Sequence, residues 1–284
     1  MKIGIIGNGF VGQATSQLSC EKVQILSYDI RPEFCNPSGI TLKDLKQCAV
    51  IFISVPTPMS FDGSCHLDIL KSVINDLNTM EYDGFKVIRS TIPVGTSDSL
   101  GCYFMPEFLT EANYVNDFIK NPHWIFGLNE NDNKETHEMF AHIILNLFNT
   151  SYQYGKIESN HFEFLQNKEA EMIKMFRNCF LATKVSFCNE IAEFCNLKGI
   201  DYENVRKWGA IDSRIQRSHT NVPGPDGKFG FGGTCFPKDT ASLSYEMKKI
   251  GMKSFVLDAA IKRNNTKDRP QHDWKDRKST RLNS

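Results

Sequence analysis

A glycine-rich turn near the start of the chain restricts what this sequence can fold into. The segment GNGFVG, residues 7–12, matches the pattern G-x-G-x-x-G and stands between an apolar run at 2–6 and an amphipathic stretch at 11–20. In a strand–turn–helix unit the first glycine permits a tight turn, the second lets the backbone approach a pyrophosphate, and the third lets helix and strand pack closely. The turn therefore predicts a dinucleotide-binding βαβ unit.

A carboxylate follows the second apolar run, where Asp29 ends the segment 23–29. A carboxylate at this place accepts hydrogen bonds from the adenine-ribose hydroxyls and repels a 2′-phosphate, which favours NAD, although the neighbouring Arg31 leaves NADP open. A glycine turn that binds nothing is the less favoured alternative, because strand, glycines, helix and acid are all in place. The segment's predicted cofactor residues are Gly7, Asn8, Gly9, Phe10, Val11, Gly12 and Asp29.

The first half of the chain alternates short apolar runs with helix-length amphipathic stretches at 11–20, 67–79 and 133–147. This alternation predicts the α/β class, with an N-terminal Rossmann-type doubly wound parallel sheet. The runs are almost continuously apolar, which is typical of strands covered on both faces. The predicted strands are KIGII (2–6), VQILSYD (23–29), AVIFISV (49–55), FKVIRST (85–91), CYFM (102–105), WIFGL (124–128) and SYQYG (151–155).

The second half begins with one long helical register over about 168–197, in which apolar residues recur every three or four positions. We expect Asn167 to cap this helix and Gly199 to end it. The pattern predicts an all-helical domain built on one long helix, whose wide apolar stripe favours a homodimer. The expected ranges are 1–158 for the NAD-binding domain, 159–265 for the helical domain and 266–284 for a polar tail. Residues 276–284 read as a translated sequencing adapter, and we expect them to be foreign.

Composition excludes several classes of protein. The chain has 33 basic and 33 acidic residues, so it lacks the positive field that attracts nucleic acid or anionic lipid. It contains no run of 18 apolar residues, which argues against a transmembrane helix. Its nine cysteines are odd in number and form no C-x-x-C pair, which favours a reducing, cytoplasmic location.

A second unusual segment, GFGGTCFPKD at residues 230–239, is called the thiol loop below. Three glycines precede Cys235, so the backbone can pass close to a ligand and present the sulfur. Lys238 is a cation that favours a thiolate, and Asp239 stands where a helix begins. An inert core cysteine is the alternative for Cys235, and it is the favoured interpretation for the other eight cysteines.

Two pairs of polar residues stand four positions apart. Lys174 and Asn178 form one row on the long helix and could donate to a developing oxyanion, or could simply flank the apolar stripe in solvent. Glu107 and Glu111 follow a short strand, where ligands bind in open α/β sheets, although surface carboxylates are the alternative.

His137 and His142 are five apart and cannot share a metal on a helix, so we predict no metal site.

The order of several motifs is similar to that of the UDP-glucose/GDP-mannose dehydrogenase family. The resemblance extends over about residues 1–265. The motifs are GNGFVG (7–12), SVPTP (54–58), STIPVGT (90–96), PEFLTE (106–111), KMFRN (174–178), DSRI (212–215) and GFGGTCFPKD (230–239).

The resemblance implies oxidation of a nucleotide sugar at C6 to a carboxylate, with two NAD and one water. It implies Cys235 as the nucleophile and Lys174 and Asn178 as oxyanion donors. It further implies Asp239 and Thr91 at a water and Glu107 as a base. Residues near the cofactor would include Val55, Thr57, Ser90, Thr91, Glu111 and Lys238. Residues at the substrate would be Glu107, Phe108, Leu109, Lys174, Asn178, Phe231, Gly232 and, from a neighbouring subunit, Arg214.

The substrate stays open at this point. UDP-glucose is favoured, and GDP-mannose or a UDP-N-acetylhexosamine is the alternative. Typical members carry a third domain that holds the substrate's nucleotide, and we expect this chain to lack it. A fragment that binds NAD and dimerises without catalysis is therefore a further alternative, although the intact set of chemical residues argues against it.

Overall fold

A computed structural model of the protein describes residues 1–274, so the segment predicted to be foreign, 276–284, lies outside the described residues. The chain forms two compact units. The first contains Met1–Thr57 and His66–Lys174, and the second contains Pro58–Cys65 and the described residues from Met175 to Trp274. These units differ from the ranges expected from the sequence, because the first turns of the long helix belong to the first unit.

The first unit is built on a seven-stranded sheet in the order β2-β1-β3-β4-β5-β6-β7. Neighbouring strands are parallel except for β5 and β6, which are antiparallel. This arrangement confirms the predicted Rossmann-type α/β class. The strands are β1 (Lys2–Ile6), β2 (Gln24–Tyr28), β3 (Val50–Ile53), β4 (Phe85–Ile88), β5 (Tyr103–Phe104), β6 (Trp124–Leu128) and β7 (Phe162–Gln166).

Helices connect the strands and make up most of the second unit, as the sequence predicted. The longest, α6, passes from the first unit into the second. The α-helices are α1 (Phe10–Thr15), α2 (Asp68–Thr79), α3 (Thr96–Ser99), α4 (Tyr114–Ile119), α5 (Lys134–Gln153), α6 (Asn167–Lys198), α7 (Tyr202–Gly209), α8 (Phe236–Lys249) and α9 (Phe255–Arg263). Short 3-10 helices cover Ser16–Leu18, Pro32–Phe34 and Leu42–Gln47, and a π-helical turn covers Asn264–Asp268.

Both faces of the sheet are buried, which explains why the strands are apolar at consecutive positions. In β3, Val50 and Phe52 pack into one cluster, while Ile51 and Ile53 pack into the cluster on the opposite face. The first cluster is rich in aromatic rings, and the second is mostly aliphatic. Side chains alternate between the two faces of a strand, so each strand contributes to both cores.

The prediction of a strand at 151–155 was wrong, because these residues complete α5 and the turn after it. Ser151 follows Leu147 by four positions and Phe148 by three, and all three residues are fully buried, so Ser151 continues the buried face of the helix. The seventh strand is instead β7, which pairs in parallel with β6. Its side chains are half-buried or exposed, so its apolar signal is weak.

Buried polar contacts attach the start of α6 to the first unit. Asn167 is the first residue of α6, whereas the sequence predicted that it would be the cap residue before the helix. Its Nδ2 donates to Asp98 Oδ1 at 2.7 Å and to the carbonyl of Cys102 at 2.8 Å. One turn later, the Glu171 carboxylate accepts from the backbone N–H of Gly95 at 2.5 Å and of Ser97 at 2.8 Å. These contacts explain why the unit boundary lies within α6.

The apolar positions of α6 in the second unit form two faces, where the sequence predicted one stripe. Met175, Cys179 and Cys195 are buried, whereas four phenylalanines and one leucine remain more than half exposed. The exposed set is Phe176, Phe180, Phe187, Phe194 and Leu197. Within residues 1–274, no helix combines the length and apolar character needed to cross a membrane.

The buried carboxylate of Glu171 should make stability depend on pH. Burial raises the pKa of Glu171 to about 7, although its hydrogen bonds to Ser97 and Gly95 oppose the rise. The folded protein then holds the proton more tightly than the unfolded chain, so stability falls as the pH rises through the interval below about 7. In Glu171→Gln, the difference in unfolding free energy between pH 5.5 and pH 8 should shrink by about 2 kcal/mol.

Urea unfolding at several pH values measures this difference. Glu163→Gln, which removes an exposed carboxylate on β7, is the matched control and should keep the wild-type pH profile. An unchanged pH profile in Glu171→Gln would contradict the assignment.

Candidate active site

The glycine turn has the geometry that a dinucleotide requires. Gly7 adopts a φ of 86°, and a Cβ there would lie 2.7 Å from the carbonyl oxygen of Ser54. A Cβ at Gly12 would strike the carbonyl oxygen of Gly7, whereas a Cβ at Gly9 would meet no atom within 4 Å. Gly7 and Gly12 are thus needed for close packing, while Gly9 leaves open space beside the N-terminus of α1, as an approaching phosphate would need.

Asp29 stands at the end of β2 and is almost fully buried. Its Oδ2 accepts from the backbone N–H of Asn8 at 2.9 Å, and its Oδ1 accepts from the N–H of Arg31 at 3.0 Å. The guanidinium of Arg31 also pairs with Asp29, with 3.3 Å between Nε and Oδ1. The acid therefore links β2 to the glycine turn, and the turn and acid together fit a dinucleotide.

Four further predicted cofactor residues come together after β3 and β4. Ser90 Oγ donates to the carbonyl of Val55 at 2.6 Å, and Thr57 Oγ1 donates to the carbonyl of Thr91 at 2.7 Å. Parallel strands β1, β3 and β4 are neighbours, so these loops and the glycine turn share the carboxyl edge of the sheet.

The remaining predicted cofactor residues are placed differently. Phe10 and Val11 begin α1, and Phe10 is partly exposed. Glu111 lies in an exposed turn between β5 and α4. Lys238 belongs to the second unit, where its ammonium pairs with a carboxylate.

A buried ion pair in the first unit joins two predicted catalytic residues. Lys174 Nζ donates to Glu107 Oε1 and to the Glu107 carbonyl, both at 2.7 Å. The second carboxylate oxygen accepts from the N–H of Leu109 at 2.9 Å. Glu107 and Lys174 are both more than nine-tenths buried, whereas the next two residues, Phe108 and Leu109, are half-buried. Pairing keeps both charges at a place where either charge alone would be costly.

Arg89 is a buried cation near this pair that the sequence reasoning missed. It is 2% exposed, and it donates to the Thr15 hydroxyl. Burial lowers the pKa of Arg89 to about 10, and the negative charge of Glu107 opposes that shift. The residue directly precedes the segment STIPVGT, and an arginine next to a buried strand is the one sequence signal that could have indicated it.

In the second unit, Asn178 and Asp239 form the corresponding polar contact. Asn178 Nδ2 donates to Asp239 Oδ2 at 2.6 Å, and Lys238 Nζ lies 2.7 Å from Asp239 Oδ1. Asp239 is fully buried. Burial alone lowers the pKa of Lys238, but the Asp239 carboxylate and the thiols of Cys65 and Cys235 outweigh it, so the pKa is raised and the ammonium stays charged.

Cys235 is the N-cap residue of α8 and is half-buried. Its sulfur lies 3.7 Å from Thr234 Oγ1 and interacts electrostatically with Lys238. The positive end of a helix and a nearby cation both stabilise a thiolate. Of the residues predicted to contact substrate, Phe231 is buried, Gly232 is half-buried, and Arg214 is exposed and paired with Asp212.

Other cysteines have the character of core residues. Burial raises the pKa of Cys48 to about 11 and the pKa values of Cys102 and Cys179 to about 12. Cys179 also contacts the backbone carbonyl of Asp239. These thiols stay protonated near neutral pH and are poor nucleophiles.

The fold and the glycine turn define an α/β protein with a dinucleotide-binding first unit. Two family models match the chain. One describes the UDP-glucose/GDP-mannose dehydrogenase family, NAD binding domain, and covers residues 36–144. The other describes the same family's central domain and covers residues 168–266. The YtcA protein of Bacillus subtilis (strain 168) is 30% identical over an alignment of 309 positions, which covers 94% of this chain and 68% of YtcA. The chain belongs to this family.

A relative from Rickettsia bellii (strain RML369-C) named UDP-glucose 6-dehydrogenase is 33% identical over 242 residues, which cover 80% of this chain and 51% of the relative. The chain thus spans about half the length of such curated relatives. Among solved structures, a UDP-glucose dehydrogenase from Pyrobaculum islandicum superposes with a TM-score of 0.79 at 22% identity. The match covers 93% of this chain and 68% of that one. The structural likeness confirms the fold.

The contrast between Gly9 and Gly12 gives a prediction for cofactor binding. Gly9 has a φ of −72°, which alanine also adopts, and its Cβ would enter open space. Gly9→Ala should change the unfolding free energy by less than about 0.5 kcal/mol and weaken NAD binding at least about tenfold. Gly12→Ala should instead destabilise the fold by more than about 2 kcal/mol. Calorimetric titration and urea unfolding measure both, and NAD binding in Gly9→Ala as tight as in wild type would sink the assignment.

Proposed function

We propose that the protein oxidises UDP-glucose to UDP-glucuronate with NAD as the hydride acceptor. The observation that carries the proposal is the thiol of Cys235 at the start of α8, beside Lys238 and the buried Asn178–Asp239 contact. A single alcohol oxidation needs no nucleophilic thiol, whereas oxidation to a carboxylate gains from a covalent intermediate. Support for the sugar comes from relatives named UDP-glucose 6-dehydrogenase.

The proposed reaction has two oxidations and one hydrolysis. The C6 alcohol first loses a hydride and a proton, which gives an aldehyde. The Cys235 sulfur adds to this aldehyde, and the thiohemiacetal loses a second hydride and proton, which gives a thioester. Water then cleaves the thioester and releases the carboxylate and the thiol. When bound, NAD would supply the hydride-accepting ring for each of the two oxidations, and the glycine turn and Asp29 would hold it.

Buried polar groups would serve the individual steps. We assign Lys174 and Asn178 to the oxyanions that form on the substrate, because each is a nitrogen donor in a dry environment. Asp239 and Thr91 would position a water and assist proton removal from the alcohol, and Glu107 would be the base in thioester hydrolysis. The Lys174–Glu107 contact keeps a proton donor and an acceptor 2.7 Å apart before any substrate arrives.

The reaction predicts a defined stoichiometry. Purified protein should produce two NADH per UDP-glucose consumed, measured by absorbance together with chromatography of the acid product. Cys235→Ala should abolish this turnover, because no thioester can form, and should leave NAD binding unchanged. Cys20→Ala removes a half-buried thiol of the first unit and should keep wild-type turnover.

One NADH per sugar, or full activity in Cys235→Ala, would contradict the thioester route. The same assay with GDP-mannose and UDP-N-acetylhexosamines tests the choice of sugar.

We further propose that the protein forms a homodimer through α6. Phe180, Phe187 and Phe194 repeat every seven residues on its exposed face, which is the spacing of a helix–helix seam. Phe176 stacks on Phe180, with 6.1 Å between the ring centroids, and both rings are exposed. A contiguous apolar stripe of this kind is typical of an interface. Because the proposed reaction needs a reduced thiol, we also propose a cytoplasmic location.

Charge on this stripe should separate the subunits. Light scattering coupled to gel filtration should give twice the monomer mass for the wild type and the monomer mass for Phe180→Glu. Ile250→Glu, at an exposed apolar position after α8, is the control and should remain dimeric. A monomeric wild type at micromolar concentration would disprove the dimer.

A further inference from the structure

The first half of the thiol loop is mostly glycine, so local backbone preferences do not hold this segment in one conformation. Gly230 and Gly233 adopt φ values of 67° and 74°, and Gly232 stands between them. Glycine loses more backbone freedom on folding than any other residue, so such a segment needs contacts from elsewhere to hold one conformation. The position of the Cys235 sulfur depends on those contacts, because only Thr234 separates Cys235 from the last of the glycines.

Asn264, in the π-helical turn after α9, makes the first of these contacts. It is fully buried, its Oδ1 accepts from the N–H of Phe231 at 2.8 Å, and its Nδ2 donates to the Phe231 carbonyl at 3.0 Å. Its amide therefore pairs with both backbone groups of one residue, as a neighbouring strand would. A Cβ at Gly230 would strike Asn264 Oδ1, and the Gly230 N–H donates to Asn189 of α6 at 3.0 Å.

Arg269 makes the second contact, five residues later. Arg269 is 2% exposed, and its Nε donates to the carbonyl of Phe229 at 2.7 Å. Nη1 donates to the Asp273 carboxylate at 3.2 Å, and Nη2 donates to Asp226. A Cβ at Gly232 would strike Nη1, so the guanidinium fills the space behind that glycine. Asp273 in turn pairs with Lys228 at 2.5 Å, which fixes the chain on the other side of Phe229.

We propose that Arg269 and Asn264 are positioning residues for Cys235. They act through the backbone of residues 229–232 and hold the thiol where it can reach the substrate. The inference rests on the nucleophilic role proposed for Cys235. Arginine is required because one planar group must reach a carbonyl and two carboxylates at once, which lysine cannot do. Misplacement of a reacting group by about 1 Å is enough to slow a reaction by about two orders of magnitude.

Arg269→Lys tests the proposal, because it keeps the charge and removes the fork of donors. We expect kcat for NADH production to fall at least about 100-fold. The NAD dissociation constant should change less than about threefold, because the dinucleotide turn belongs to the first unit, and KM for UDP-glucose should change far less than kcat. Millimolar guanidinium should restore at least about tenfold of the activity lost in Arg269→Ala, since it can occupy the vacated pocket.

Lys267→Met is the matched control, because this exposed cation of the same turn pairs with Glu193 and makes no contact with the thiol loop in residues 1–274. It should keep wild-type kcat. If Arg269→Ala does not fold, Asp226→Asn replaces it, because Asp226 is a half-exposed partner of the guanidinium and its loss should also lower kcat more than KM.

A kcat within threefold of wild type in both Arg269→Lys and Asp226→Asn would overturn the inference, as would an equal loss in Lys267→Met. Failure of the proposed function looks different, because the wild type would then make no NADH. In that case the rate of Cys235 alkylation by iodoacetamide, followed by peptide mass spectrometry, decides. A change of at least about fivefold in Arg269→Lys supports the positioning role, and an unchanged rate refutes it.

Discussion

Two side chains one turn apart on α6 each donate a hydrogen bond to one of the two candidate catalytic carboxylates. Lys174 neutralises Glu107 within the first unit, and Asn178, four residues later on α6, donates to Asp239 within the second. Both carboxylates are buried, and a buried carboxylate without a donor would take up a proton or disrupt its surroundings. The helical repeat therefore places one donor beside each of two carboxylates that stand far apart in the sequence.

Much of the fold was readable from periodicity, and the errors have physical causes. Strands covered on both faces, such as Val50–Ile53, gave continuous apolar runs, and α6 was found to within a residue at each end. The edge strand Phe162–Gln166 was missed because its side chains are half-buried or exposed. The aromatic residues of 151–155 mimicked a strand, but the buried Leu147 and Ser151 extend α5 through most of them. A boundary between compact units that is set by buried polar contacts, such as those of Glu171, leaves no pattern in the local sequence.

The sequence likewise predicted only part of the candidate site. Short-range patterns identified the glycine turn, Glu107, the row of Lys174 and Asn178, and the thiol loop. The partners that give these residues their properties come from distant parts of the chain, as with Asn178 and Asp239, which are 61 residues apart. Arg269 and Asn264 were overlooked because they follow the last periodic helix, and Arg269 also lies in the stretch expected to be a polar tail. Burial is a property of the folded chain, and no sequence pattern around Asn264 and Arg269 indicates it.

The burial of its thiols also determines which cysteines of this chain react with electrophilic small molecules. All nine cysteines lie in residues 1–274, and five of them, including Cys179 in α6, are buried. An electrophile in solution therefore encounters four half-buried sulfurs, and the high pKa values of the thiols at Cys48, Cys102 and Cys179 withhold their nucleophilic form as well. Of the four, Cys235 alone sits at the N-terminus of an α-helix. Although the chain is rich in cysteine, covalent probes should therefore react preferentially with Cys235.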